Sequence, residues 1–294
     1  QHDDPLSRPI HDGRWHPEEY QAYVHRETYR ALSADPRIWG TFAWCLADFG
    51  SDCRQEGPQC GVNDKGLVTF DRSAKKDAFW FYKANWTADP VLHLVGRGRK
   101  AVTNEAANIL VFSNVGEASL AVNGRTVGKA MPDEVRSILW RNVALSPGWN
   151  RIEVRAAGRS VSTRIYRNPP METTSIQRRI DDVAASGGGT VTLAAGEHHA
   201  AGLVLRSNVT LALAKGAVLK GSVSTFDYPG AIADAGSTRK AIVTAEGAEN
   251  IAIVGEGTVD GLGELAPQGN EYPGRWKDVF FLRCRNVRIE GVTL

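Results

Sequence analysis

The pattern of hydrophobic and polar residues changes twice along the chain, and these changes predict three parts. Two helical patterns come first: an amphipathic one at 17–33, and one at 75–86 that is apolar nearly all round. From 89 to 167 the pattern becomes short alternating runs, which are typical of strands in a β-sandwich. From 173 to 294 a third helical pattern is followed by many short apolar strands. The sequence therefore predicts a multidomain chain.

The segment 38–86 predicts one strand–loop–helix unit. An apolar run of strand length, Ile38–Ala47, is followed by a polar loop at Gly50–Lys65. Ser73 is placed to be the N-cap of a helix over Lys75–Trp86. This order is that of one unit of an α/β barrel or a doubly wound sheet. In both architectures the functional loop follows the carboxyl end of the strand.

Three residues of this unit lie where a substrate is expected to bind. Trp44 stands near the end of the predicted strand, and Asn63 and Lys65 close the loop that follows. An indole offers a flat apolar surface, while an amide and an ammonium group can donate hydrogen bonds to a bound small molecule. In the alternative interpretation, Asn63 and Lys65 only stabilise the loop. His2 is a fourth candidate, although such a histidine is more often solvated or structural.

The second and third parts contain turn residues that predict their folds. Asn123-Gly124 lies between two short runs and predicts a type I′ β-hairpin. Asn168-Pro169-Pro170 predicts a linker, because two prolines stiffen the chain and forbid a helix. Asn208, Asn250 and Asn286 each introduce a similar short strand. This recurrence predicts the stacked rungs of a parallel β-helix, in which asparagines can hydrogen-bond along a turn.

Composition narrows the classes of partner. The chain has 294 residues with 35 Lys and Arg against 33 Asp and Glu, a formal net charge of +2. This balance does not favour nucleic acid or a membrane surface as a partner, and no apolar run reaches spanning length. Cys53 and Cys60 share one loop, where a disulfide and two free thiols are both open alternatives. No metal site and no cofactor are predicted.

The first part resembles the last βα unit of the catalytic barrel of glycoside hydrolase family 2, which includes β-galactosidases and β-glucuronidases. The matching motifs are HPEEYQ at 16–21, WGTFAW at 39–44, DF at 48–49, NDKGLVTFDR at 63–72 and KKDAFWFYKANW at 75–86. The resemblance implies that the Trp44 ring forms the floor of a sugar-binding subsite. It also implies that Asn63 and Lys65 are the Asn-x-Lys pair that grips a sugar carboxylate in β-glucuronidases. Cys45 departs from the asparagine more usual at that position.

The second part resembles the immunoglobulin-like β-sandwich that follows the barrel in family 2 enzymes, including the motif LAVNG at 120–124. The third part resembles the amino-terminal region of glycoside hydrolase family 28, the polygalacturonases, which implies the start of a right-handed parallel β-helix. Its matching motifs are SIQRRIDDVAASGGGTVTLAAG at 175–196, LRSNVTLALAKGAVLKGS at 205–222, GEGTVDGLG at 255–263 and CRNVRIEGVTL at 284–294. Asp260 matches a structural turn of that family.

These resemblances imply a domain order and leave the chain without catalytic residues. The expected domains are the end of a (β/α)8 TIM barrel at 1–88, a β-sandwich at 89–167, a linker at 168–172 and the first part of a β-helix at 173–294. Glycoside cleavage needs two carboxyl groups about 5 Å or about 6.5–9.5 Å apart. No such pair can be assigned here. The resemblances place the catalytic glutamates before Gln1 and the catalytic aspartates after Leu294.

We therefore expect a fragment of a carbohydrate-degrading enzyme that hydrolyses O-glycosyl bonds. It would join a retaining β-galactosidase- or β-glucuronidase-like glycosidase to a polygalacturonase-like pectin hydrolase. Its partner would be a plant cell-wall polysaccharide or oligosaccharide. We expect a secreted or periplasmic protein whose signal peptide is not in this chain. The alternative is a non-catalytic carbohydrate-binding or scaffold fragment. Whether the sugar is a uronide or a galactoside stays open, because Asn-Asp-Lys-Gly also occurs in relatives called β-galactosidases.

Overall fold

The structure is a computed structural model that describes residues 18–54, 60–96, 101–224, 227–228, 232–234, 237–265 and 277–294. The chain divides into two compact units between Arg167 and Asn168. The division falls at the first residue of the segment predicted as a linker. No helix among the described residues is long and apolar enough to cross a bilayer.

The first unit begins with two helices and one short β-ladder. Its elements are α1 (Glu18–Ser33), β1 (Phe49–Gly50), β2 (Val62–Asn63) and α2 (Asp77–Trp86). Ala22 of α1 and Phe81 of α2 are fully buried in one apolar cluster. Acidic residues in the first turn of α1 and Arg30 in its last turn complement the helix dipole. Both helices agree with the predicted ones to within two residues.

The apolar run Ile38–Ala47 is not a regular strand, and that prediction is wrong. Its one bridge among the described residues joins Ala47 to Val68. A strand needs a neighbouring chain to complete its backbone hydrogen bonds, and the described residues offer this run no full ladder. Trp39 and Phe42 are accordingly about nine-tenths exposed, at 90% and 91%.

Ser73 is not the N-cap of α2, which begins at Asp77 rather than Lys75. The Ser73 hydroxyl donates instead to the Asp71 carboxylate at 2.9 Å, within a local turn. Lys76 occupies the N-cap without a side-chain capping bond. The first N–H of the helix is satisfied from α1, since Asp77 N–H donates to the Glu18 carboxylate. A contact between distant helices has replaced the local cap.

Two facing sheets complete the first unit. Their strands are β3 (Leu92–Leu94), β4 (Ala101–Val102), β5 (Ala106–Ser113), β6 (Ala118–Val122), β7 (Arg125–Ala130), β8 (Ser137–Ala144), β9 (Gly148–Ala156) and β10 (Arg159–Arg167). One sheet has the order β3-β5-β8 and the other β4-β10-β9-β6-β7. Buried residues of both sheets, such as Ile138 and Ile152, share one core. Asn123 and Gly124 join β6 to β7 with φ of 51° and 80°, as the predicted type I′ turn requires.

The second unit contains one helix and a series of short strands. These are α3 (Thr173–Ala185), β11 (Gly189–Leu193), β12 (Gly196–His199), β13 (Leu203–Val204), β14 (Val209–Leu213), β15 (Ala217–Lys220), β16 (Ile232–Asp234), β17 (Ser237–Arg239), β18 (Ala241–Glu246), β19 (Glu249–Gly255), β20 (Thr258–Asp260), β21 (Lys277–Leu282) and β22 (Arg285–Glu290). Ile176 and Ile180 of α3 are buried in the core of the strands. The amphipathic pattern of α3 therefore covers the start of this core.

The chain passes through three parallel sheets in a repeating order. The sheets are β11-β14-β19-β22, β12-β15-β20 and β13-β18-β21. Successive strands therefore enter the first, second and third sheet in turn, apart from the antiparallel hairpin β16–β17. Apolar residues face the interior: Leu211, Ile253 and Leu219 are fully buried. Each turn of the chain buries its apolar side chains against the turns beside it.

The three recurring asparagines form one hydrogen-bonded column. Asn208, Asn250 and Asn286 all have positive φ, of 63°, 57° and 50°. Asn250 Nδ2 donates to Asn208 Oδ1 at 2.8 Å, and Asn286 Nδ2 donates to Asn250 Oδ1 at 2.7 Å. The prediction that these asparagines hydrogen-bond along a turn is confirmed.

Candidate functional site

A nearly buried ion pair holds the loop that carries the candidate residues. Lys76 Nζ lies 2.7 Å from Asp48 Oδ1, and the two side chains are 12% and 8% exposed. Lys76 also donates to the carbonyl oxygen of Asp64 at 2.6 Å, and Gly66 N–H donates to Asp48 Oδ1 at 2.8 Å. A Cβ at Gly66 would lie 2.1 Å from Asp48 N, so this close approach requires glycine. The ion pair thus connects both ends of the loop.

Asn63 is fixed by both its backbone and its side chain. It pairs with Phe49 in the β1–β2 ladder and is 8% exposed. Its Oδ1 accepts from Lys65 N–H at 3.1 Å, which closes a tight turn. Within the described parts of the chain, the Nδ2 group has no acceptor. The side chain is mostly buried, but its Nδ2 group is not among the buried atoms that lack a partner, so its two N–H donors stay available to solvent or a ligand.

The turn holds Lys65 by its backbone and leaves its ammonium group unpaired. Gln21 Nε2 donates to the Lys65 carbonyl oxygen at 2.9 Å. The residue is exposed, and Lys65 Nζ has no carboxylate partner among the residues that the structure describes. An ammonium group placed two residues after the Asn63 amide can add charge to the recognition of an anion.

Trp44 is connected to this turn through Phe49. The Trp44 side chain is 73% exposed, and its ring meets the Phe49 ring edge to face with centroids 6.2 Å apart. Phe49 is the strand partner of Asn63. The peptide bond between Trp44 and Cys45 is cis. The exposed indole and the unsatisfied amide thus adjoin the same residue, whereas His2 lies outside the described residues.

The Asp48 carboxylate, close to Trp44 in the sequence, is not available to act on a substrate. Asp48 is engaged by Lys76 and Gly66, so its charge is used in holding the loop. In the described ranges no group of three or more His, Cys, Asp or Glu side chains could hold a metal ion. The arrangement presents an exposed aromatic ring, amide N–H donors and an ammonium group, which suit a ligand with an apolar face and an anionic substituent.

The cysteines of the loop are free thiols. Cys60 Sγ donates to the Arg54 carbonyl oxygen at 3.5 Å, and Cys53 Sγ lies 3.5 Å from Ser51 Oγ. Of the two alternatives left open by the sequence, the structure has the unbridged one.

A buried polar cluster behind the loop was missed by the sequence analysis. Asp77 Oδ1 lies 2.6 Å from His93 Nε2, and Asp77 Oδ2 accepts from Gly96 N–H at 2.8 Å. The His93 ring stacks on Trp80 with centroids 5.2 Å apart. Burial of the carboxyl group, and then the Asp77 carboxylate, raise the pKa of Glu18 from 4.5 to about 7. A lone aspartate in the apolar run at 77–82 was the available signal for this cluster.

Comparisons with known proteins relate the chain to glycosidases. No family model matches the sequence. A β-glucuronidase of Bacteroides fragilis is 42% identical over 161 residues, covering 54% of this chain and 23% of that protein. The β-galactosidase BoGH2A of Bacteroides ovatus is 24% identical over 142 residues, covering 48% of this chain and 16% of that protein. The chain thus spans less than a quarter of the length of both relatives.

One solved structure gives the same relationship. A Bacteroides fragilis protein provisionally assigned as a β-galactosidase matches with a TM-score of 0.50 and 26% identity, over 56% of this chain and 26% of that one. These likenesses give no support for a polygalacturonase-like module. Over about half of its length, the chain is homologous to proteins named as a β-glucuronidase and a β-galactosidase.

Proposed function

We propose that this chain is part of a carbohydrate-degrading glycosidase of the β-glucuronidase or β-galactosidase type. In this proposal Trp44, Asn63 and Lys65 form one wall of its sugar subsite. The observation that carries the proposal is the position of Phe49, which we call the Phe49 junction. The Phe49 ring contacts the exposed Trp44 ring, and its backbone pairs with Asn63. The indole would pack on the sugar ring, while the turn would present donors to its substituents.

Within that class, the donors favour a uronide over a galactoside. The Asn63 side chain is mostly buried, its N–H groups are unused by the described residues, and the Lys65 ammonium group stands two residues away. A carboxylate can accept from both groups and compensates the Lys65 charge. A neutral hydroxymethyl group can satisfy the amide but not the ammonium group. Because charged hydrogen bonds contribute about 1.5–3 kcal/mol, this difference is large enough to select a substrate.

The catalytic carboxyl groups are not assigned to any described residue. The chain covers 23% of the β-glucuronidase to which it is similar, and in this proposal residues outside the described ranges supply them. The loop residues would therefore position the sugar for groups carried elsewhere. His2 remains a candidate contact of the same subsite.

The test compares three aryl glycosides with the full-length protein. We expect turnover of the β-glucuronide or β-galacturonide to exceed that of the β-galactoside. Lys65→Ala should reduce kcat/KM on the uronides by roughly 10–100-fold and change galactoside turnover little. Lys75→Ala, which removes a neighbouring exposed lysine, is the matched control. An equal loss on all three substrates for Lys65→Ala would refute recognition of the carboxylate.

A second proposal concerns the unit from Asn168 to Leu294. We propose that it is the start of a right-handed parallel β-helix of a polygalacturonase-like pectin hydrolase. Support comes from the repeating passage through three parallel sheets and from the asparagine column. The domain limits 1–88, 89–167, 168–172 and 173–294 belong to this proposal. The alternative is that both β-rich parts are a non-catalytic scaffold.

The substrate of this second module would be a plant cell-wall polysaccharide. Such a polymer is met outside the cytoplasm, so the proposal includes a secreted or periplasmic protein. Release of reducing ends from de-esterified polygalacturonate by the full-length protein would support the module, with a neutral β-glucan as control. Binding of polygalacturonate without any cleavage would favour the scaffold alternative.

A further inference from the structure

One face of the five-stranded sheet in the first unit has arginines directly opposite each other. In β9 the side chains of Ile152 and Val154 are fully buried in the sandwich core, so the alternate residues face outward. Arg151 of β9 pairs with Arg164 of β10 across the antiparallel ladder. Like charges directly opposite each other on one face are destabilising. An anion bound on this face would relieve the repulsion between the two guanidinium groups.

The neighbouring carboxylate compensates only part of this charge. Glu153 Oε1 lies 3.0 Å from Arg155 and 3.8 Å from Arg151, and it also accepts from Ser160 Oγ at 3.0 Å. The Arg151 and Arg155 side chains remain 65% and 68% exposed. Over the outward positions of β9 and β10, one glutamate thus stands among three guanidinium groups.

Arg164 is held in place without a carboxylate. Its guanidinium group lies over the Trp149 ring, 4.4 Å from the centroid. The Tyr166 ring meets the Trp149 ring edge to face at 5.5 Å. No carboxylate among the described residues pairs with Arg164. Stacking fixes the plane of a guanidinium group and leaves its N–H edge available, which is the geometry that binds a carboxylate with two hydrogen bonds.

We propose that Arg151, Arg155 and Arg164, with Trp149 as the support for Arg164, bind an acidic polysaccharide whose sugars carry carboxylates. Arg151 and Arg155 are four residues apart on one strand, about 13 Å along it. The charges are therefore spread along the strand, with Arg164 beside Arg151, which suits a linear polyanion better than a single small ion. The face would hold the polymer while the chain's proposed sugar subsite acts on it.

The choice of uronate among polyanions rests on the proposed function, whereas the anion site rests on the arginine face alone. A nucleic acid is the competing polymer. The small net charge of +2 favours the glycan, and so does the engagement of the Trp149 ring by Arg164, because stacking of successive bases needs several free aromatic rings.

The test is binding of de-esterified polygalacturonate to the full-length protein, measured by affinity electrophoresis at low salt. The double variant Arg151→Ala/Arg164→Ala should weaken binding at least tenfold, and methyl-esterified pectin should bind at least tenfold more weakly than the acid form. Arg141→Ala removes an exposed arginine from β8 of the other sheet, and it should change neither. Circular dichroism establishes that each variant is folded. Arg151→Lys/Arg164→Lys, which keeps the charge, should retain part of the binding.

Equal binding by the double alanine variant and the unaltered protein would overturn the proposal. Tighter binding of single-stranded DNA than of polygalacturonate, lost in the same variant, would assign the face to nucleic acid and overturn it too. Turnover of aryl glycosides is measured separately on each variant. Loss of polymer binding with unchanged turnover supports the proposed binding face. Absence of turnover in every variant and in the unaltered protein would contradict the proposed function, but it would leave the binding measurement valid.

Discussion

Lys76 and Asp48 are 28 positions apart in the sequence, yet their side chains form one ion pair with Nζ 2.7 Å from Oδ1. The pair joins the N-terminus of α2 to the start of the loop that carries Asn63 and Lys65. Because both groups are nearly out of contact with water, either charge alone would be left without compensation. The position of the proposed subsite therefore depends on a contact outside it.

The first prediction follows from that dependence. Lys76→Met should destabilise the first unit by about 3–5 kcal/mol, because it leaves the Asp48 carboxylate buried and unpaired. Chemical denaturation monitored by tryptophan fluorescence measures the loss. Lys75→Met removes the preceding lysine, which is exposed and lies over the Phe79 and Trp80 rings, and should cost only about 0.5–1 kcal/mol. Similar losses for the two variants would show that the pair does not hold the loop.

The second prediction uses two glycines of the same region. Gly66→Ala would place a Cβ 2.1 Å from the Asp48 backbone nitrogen, whereas a Cβ at Gly50 meets nothing within 4 Å. Overpacking of this kind costs about 1–3 kcal/mol or more, so Gly66→Ala should lower both stability and glycoside turnover. Gly50→Ala should leave both within error. Thermal melts and kcat/KM of the full-length protein would contradict this account if Gly66→Ala behaved like Gly50→Ala.

The third prediction concerns pH. The folded-state pKa of Glu18 is about 7, above its ordinary value of 4.5. Between these values the folded chain retains the proton that the unfolded chain has released, so stability falls as pH rises through this window. Glu18→Gln can still accept from Asp77 N–H and cannot ionise. It should therefore flatten this part of the stability profile, with its largest stabilising effect above pH 7.

The control for this prediction is Glu117→Gln, which alters an exposed glutamate of the same unit paired with Lys129 at 3.1 Å. Urea unfolding between pH 5 and pH 8 gives the profile. A Glu18→Gln variant that keeps the slope of the unaltered protein would show that another group titrates there.

The fourth prediction separates two roles of Asn250. Its φ is 57°, and its amide connects Asn208 to Asn286. Asn250→Ala loses two side-chain hydrogen bonds, each contributing about 0.5–1.5 kcal/mol, and also suffers the cost of a left-handed backbone, about 1–2 kcal/mol. Asn250→Gly loses the hydrogen bonds but tolerates the backbone, so it should be the milder change. The free energy of unfolding of both variants is measured by chemical denaturation. Equal losses for Asn250→Ala and Asn250→Gly would show that the left-handed backbone contributes nothing to the difference.

Structure was best predicted where it depends on residues that are close together in the sequence. The turn at Asn123-Gly124 came directly from local pattern, because positive φ is a local preference of its asparagine and glycine. The asparagine column was also predictable, since its three members recur in the same short motif. Strands such as β12 and β20 are harder to predict, because three or four residues with polar members give no alternation that can be distinguished from a loop.

The parts that could not be predicted depend on distant partners. The run at Ile38–Ala47 has the composition of a strand, but a strand exists only with a paired neighbour. The N-terminus of α2 is satisfied by Glu18, which is 59 positions away, so Ser73 was free to make its own turn. The candidate residues were found from their order along the loop, whereas the Phe49 junction and the ion pair behind it required the fold.

The hairpin β16–β17 has a consequence for how this unit can vary. It is inserted between β15 and β18, yet β18 still pairs in parallel with β13 and β21 on either side. The hairpin is therefore accommodated at this corner without a shift in the register of the parallel strands on either side of it. Loops of very different length could be exchanged at such corners, so that new surfaces for recognition arise while the scaffold beneath them stays the same.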